Sequence, residues 1–135
     1  MSSRTCSVAI AAAPSSVFGY VSQPQNLPAW APAFAESVHP EDDYWVATTP
    51  AGETRFALRT DETLGIVDFL GLVAADAFVL RAPTRVVPNG PKRSEYLFTL
   101  FQAPTESDAA FEKRLVVLSD ELVTLRDLLE TKASS

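Results

Sequence analysis

Cysteine and histidine are nearly absent: Cys6 is the one thiol and His39 the one imidazole in 135 residues. A single cysteine excludes an intramolecular disulfide framework, and sulfur and nitrogen ligands cannot cluster into a zinc site. Neither a metal nor a cofactor is expected. Basic residues are scarce too. Eleven Lys and Arg face 17 Asp and Glu, for a formal charge of −6. That balance argues against nucleic acid as a partner, because such binders carry a basic patch. Glycines number only 5. Gly65 and Gly71 are too far apart for a dinucleotide fingerprint. Gly90-Pro-Lys-Arg-Ser94 lacks the upstream glycine and following helix of a phosphate loop. No G-x-S-x-G elbow is present. No apolar run approaches the ~20 residues of a membrane span.

What is there suits one folded domain, read as residues 1–135, with 47% apolar residues and an ordinary domain length. Arg4 followed by an Ala-rich stretch ending at Ala13 superficially suggests a leader. Only Val8 and Ile10 are bulky there, however, at strand spacing, so residues 7–12 read as a first strand in a soluble, cytoplasmic protein. Pro14 opens a short helix carrying Val17, Phe18 and Val21. Pro24 stops it, and Asn26 caps a second short, proline-interrupted helix bearing Leu27, Trp30 and Phe34.

Strands follow at 36–39, 44–49, 53–61, 65–73, 77–87 and 95–102, with Asn89-Gly90 marking a hairpin. Glu41-Asp42-Asp43 reads as a solvated hairpin tip and lacks the alternating spacing of a calcium loop. The last segment repeats Phe111, Leu115, Leu118, Leu122, Leu125 and Leu129 at spacings of four and three, an amphipathic helix capped by Thr105 or Ser107. The fold class is therefore α+β: a curved antiparallel sheet of six or seven strands wrapped on a long C-terminal helix, with two short helices after the first strand. Curved sheet and straight helix diverge at one end, and an apolar gap opens there.

The segments from Val8 to Phe18, Pro24-Gln-Asn-Leu-Pro28-Ala-Trp30, Val86-Val-Pro-Asn-Gly90 with Ser94-Glu-Tyr96, and Glu121-Leu122 through Glu130 resemble the START-like (SRPBCC) superfamily. Within it they look like the polyketide cyclase/dehydrase-like branch. The resemblance covers nearly the whole chain and implies the helix-grip fold, with a deep cavity between sheet and helix for hydrophobic small molecules. No invariant catalytic set spans that superfamily, so it assigns no catalytic residue here.

Two residues are candidates for acid–base work. Asp68 stands in Ile66-Val-Asp-Phe-Leu70, apolar on both strand faces. It pairs with Arg59, Arg81 or Arg85, faces outward at an edge, or projects into the cavity, where burial would raise its pKa. The ion pair is the favoured reading. His39 has the right intrinsic pKa, but its place at a strand end favours the surface. Arg81 and Arg85 share a parity suited to pairing across the hairpin with Glu95. Trp30 and Phe34 are the first choices for ligand contact, with Phe56, Asp68, Tyr96 and Phe98 beside them. The leading function is binding of a hydrophobic or aromatic small molecule. The alternatives are a cyclase or dehydratase using one cavity acid–base residue, and a protein-interaction module with a collapsed cavity. A homodimer stays open.

Overall fold

Strand patterning and turn residues lay out seven strands. The computed structural model, which describes residues 2–74 and 77–133, joins them in one antiparallel sheet. The strands are β1 (Ser3–Ile10), β2 (Ser37–Glu41), β3 (Tyr44–Thr49), β4 (Gly52–Asp61), β5 (Ile66–Ala74), β6 (Ala77–Pro88) and β7 (Ser94–Phe101). Their spatial order is β1-β7-β6-β5-β4-β3-β2. Helices α1 (Pro14–Val21) and α2 (Leu27–Trp30) lie between β1 and β2, and α3 (Asp108–Ala133) closes the chain. This is the helix-grip architecture.

Alternation decides which side chains face inward. Val67 and Phe69 of β5, Ala82, Thr84 and Val86 of β6 and Tyr96 of β7 are buried on one face, together with Phe56 of β4. Against them pack Leu118, Leu122, Leu125 and Leu129 of α3, with Val17 and Val21 of α1. All six residues of the predicted stripe are buried. Of the two predicted caps, Ser107 serves: its Oγ accepts the Ala110 N–H at 3.1 Å. A buried polar chain crosses the sheet, with Tyr96 Oη donating to Thr84 Oγ1 (2.9 Å) and Thr84 donating to the Val67 carbonyl (2.6 Å). Every member is satisfied, which is what a buried polar network requires.

The structure corrects several local readings. β1 begins at Ser3, before the expected residue 7, because its polar first half pairs along β7 from Ser3↔Phe101 onward. At an edge strand the pairing needs no apolar pattern. The second helix ends at Trp30, so Phe34 lies beyond it, as Pro32 removes a donor from the next turn. Asn26 does not cap that helix; its Nδ2 donates back to the Tyr20 carbonyl. The hairpin marked by Asn89-Gly90 does join β6 to β7, through a loop from 89 to 93 closed by the Asn89 N–H on the Arg93 carbonyl (3.0 Å).

Gly65 shows why one turn needs glycine. Its φ is +71°, and a Cβ there would run into the Val86 carbonyl. The contact exists because the Val86 N–H donates to the Gly65 carbonyl at 2.8 Å.

Candidate functional site

The C-terminal half of α3 is seated on the core through Leu122, Leu125 and Leu129. Its N-terminal half buries Phe111 and Leu115 and reaches β7 through Arg114 Nη2 on the Phe101 carbonyl (2.9 Å). Beside that seam Ala110, Lys113, Arg114, Val117, Leu118 and Glu121 line a cavity of about 1220 Å³. The opposite wall comes from Phe56, Phe69, Gly71, Ala82, Phe98 and Leu100 of the sheet, and the segment from Leu27 to Phe34 forms the third side. The space between α3 and the sheet is therefore open.

Aromatic rings build the inner wall. Phe34 meets Phe56 edge-on with centroids 5.4 Å apart and Phe69 at 6.1 Å, while Phe69 and Phe98 are 5.5 Å apart. Such tilted and edge-to-face pairs are the favourable ring geometries. Phe34 stays half-exposed, leaving part of its ring to the cavity. Trp30 lines the same space but belongs to the core. It is 1% exposed and packs edge-on against Tyr96 and Phe98. Its indole Nε1 is buried without a hydrogen-bond partner among the described residues.

The structure thus brings Trp30, Phe34, Phe56 and Phe98 to the cavity. Tyr96 lies behind them, fully buried, its hydroxyl held by Thr84 and its pKa raised by burial against the weaker lowering effect of that bond. Asp68 and His39 are not there. Asp68 sits between the inward Val67 and Phe69, so it faces the other side of the sheet. Its Oδ2 accepts from Arg59 Nη2 at 2.8 Å and Nε at 3.2 Å, across the direct pair Arg59↔Asp68. His39 is exposed on edge strand β2, 3.6 Å from Glu41. The expected pairing of Arg81 and Arg85 with Glu95 is also absent: Arg85 Nε donates to the Leu64 carbonyl instead. A register shift between Phe69 and Leu70 sets Arg81 and Arg85 on different faces.

Glu121 is among the titratable lining residues that the sequence reading did not single out as candidates. Glu121 lies on the cavity side of α3, and its Oε2 accepts the Ala33 N–H at 3.1 Å. Burial pushes its pKa up to about 7, against the lowering effect of that hydrogen bond. Its signal was modest: Glu121 lies three residues after Leu118 and four before Leu125, at the border of the leucine stripe. Around the mouth, Glu106 accepts from Arg114 Nε at 2.7 Å and Nη2 at 2.8 Å. Of the other charged groups of the lining, Arg55 turns to the Tyr44 ring, 5.7 Å from its centroid, and Arg81 and Lys113 remain with Glu53 and Glu121.

Glu121 makes stability depend on pH. Its folded pKa lies above the ordinary carboxylate value, so the native state binds more protons and loses stability as pH rises through about 7. Glu121→Gln keeps an acceptor for Ala33 and removes the buried charge. At about pH 8 it is expected to stabilise by about 1–2 kcal/mol, a value reduced for partial solvent screening. At about pH 4, below the ordinary carboxylate value, the difference should fall to near zero. Urea unfolding at both values checks this, and an equal effect at both would remove Glu121 as the titrating group.

No family model matches the chain, and no curated protein matches it in sequence. Solved structures do match in fold. A START superfamily protein from Mycobacterium smegmatis superposes with a TM-score of 0.74 at 15% identity, covering 96% of this chain and 97% of that one. The Aha1 dimer from Colwellia psychrerythraea gives 0.73 at 12% identity, covering 96% and 97%. The di-domain ARO/CYC BexL of a biosynthetic pathway gives 0.68 at 16% identity; 94% of this chain matches 46% of that longer one. The chain has the START-like fold. No helix among the described residues is long and apolar enough to cross a membrane.

Proposed function

We propose that this chain binds an apolar, ring-bearing small molecule between α3 and the sheet. The observation that carries the reading is the aromatic-walled cavity of about 1220 Å³ between α3 and the sheet. Concave, mostly apolar spaces with a few convergent polar groups are the usual form of ligand sites. Mass spectrometry of compounds co-purifying with the native protein identifies the ligand class. Phe34 supplies the mutational test, because its ring is half-exposed to the cavity. Phe34→Ala is expected to weaken an apolar fluorescent probe about tenfold, the loss of one aromatic contact, with a small change in melting temperature. Unchanged affinity with a lowered melting temperature would assign Phe34 to the core and count against the site.

Glu121 favours a second reading, in which the cavity catalyses proton transfer within its bound molecule, as in a cyclisation or dehydration. A carboxyl poised near neutrality can give or take a proton at working pH, and the fold neighbour BexL is described as an ARO/CYC protein. Glu121→Gln would then keep probe affinity and lose turnover of the co-purified compound. The Colwellia neighbour, described as a dimer, supports a homodimer as a proposal for this chain.

A further inference from the structure

We propose that Arg81 anchors the carboxylate of an amphipathic organic acid whose apolar body lies among the cavity's aromatic rings. The inference rests on the ligand-binding reading above and specifies the ligand's class. It begins at the irregularity between β5 and β6. Pairing moves from Phe69↔Ala82 to Leu70↔Leu80, which leaves Arg81 as the extra residue of a bulge. Bulges re-aim a side chain that regular alternation would send to the other face. Here Ala82 faces inward, so alternation alone would turn Arg81 outward. The bulge brings it onto the cavity wall, which it lines.

Gly71 makes room for it. The glycine sits directly opposite Phe56, on the inward face. A Cβ at Gly71 would lie 2.6 Å from Arg81 Nε and 2.9 Å from its Cγ. The arginine stem therefore lies flat over bare β5 backbone, where any other residue would displace it. Among the described residues no carboxylate or carbonyl engages the guanidinium, whereas Arg4, Arg59, Arg114 and Arg126 each have an ion-pair partner.

The chemistry then selects the ligand. A guanidinium offers a planar fork of donors matched to a carboxylate. One fork suits a monoanion better than a phosphate dianion. The phenyl rings beyond it suit a hydrocarbon or aromatic body, and Lys113 lines the same cavity. The resulting ligand is apolar at one end and acidic at the other.

The test compares cis-parinaric acid with its methyl ester, two fluorescent probes that share a body and differ in charge. The wild-type protein is expected to bind the acid about tenfold more tightly, the value of a charge-assisted hydrogen bond at a partly exposed site. Arg81→Gln should abolish that preference and leave ester affinity unchanged; Arg81 is exposed, so its replacement spares the fold. Gly71→Ala should reduce the preference as well, since it shifts the guanidinium without removing its charge. Equal binding of acid and ester by the wild type, or a preference that survives Arg81→Gln, would overturn the assignment while leaving the cavity reading intact. Binding of neither probe would overturn both.

Discussion

Replacing Trp30 with alanine is expected to cost about 3–5 kcal/mol of folding stability, the range for a buried aromatic truncated to a methyl. Trp30 stands on the cavity wall, but its packing decides the outcome. It is 1% exposed and meets Tyr96 and Phe98 edge-on at 6.2 and 6.5 Å. Truncation removes both ring contacts and unpins α2 from β7. Trp30→Phe separates the terms, since it keeps a ring and discards the buried, partnerless Nε1. An unsatisfied buried donor costs about 1–3 kcal/mol, so its removal offsets the lost ring area. We expect Trp30→Phe to lie within about 1.5 kcal/mol of wild type. Urea denaturation of the three proteins gives the values. If Trp30→Ala proved nearly neutral while probe affinity collapsed, Trp30 would serve the ligand and not the core.

Leu122→Ala is expected to cost about 2–5 kcal/mol. Leu122 is 2% exposed, in the part of α3 that is seated on the sheet. The loss combines transfer of the removed carbons with the hole left behind, and the rigid strands beneath have little freedom to collapse into it. The neighbouring Val123, 42% exposed on the same helix, provides the control. Val123→Ala should stay within about 0.5 kcal/mol, as surface changes do. Thermal or chemical unfolding showing equal costs for both would mean that the stripe does not grip the sheet.

Hydrophobic periodicity made the fold legible because it responds to burial directly. The four-and-three spacing from Phe111 to Leu129 can serve one helix face only, and the strand alternation of β4 and β7 can serve one sheet face only. Phe56 and Phe98 were legible as members of one strand face for the same reason, whereas Trp30 and Phe34, on a proline-broken segment, could be read equally as core or as ligand contacts. Asp68 was readable only as a set of alternatives, since which arginine stands opposite depends on register; Arg59 does. Arg81 could not be placed by parity at all. Arg81 is itself the extra residue of a bulge, which breaks the count on which parity depends. Glu121 was missed because its character is tertiary. Its sequence neighbours predict a helix border, while desolvation by the cavity and the bond from Ala33 come from elsewhere in the chain.

The strand order has a further consequence for biosynthesis. β1 and β2 follow one another in the chain yet occupy opposite edges of the sheet, and β1 has β7 as its strand partner. A nascent chain leaving the ribosome therefore carries an orphan first strand until nearly everything else has emerged. The meander from β2 to β7 can zip by successive hairpins, but the N-terminal strand must wait and then dock late. Such long-range closure is slow and leaves a sticky edge unprotected meanwhile. An unpaired edge during folding is thus a vulnerability this topology builds in.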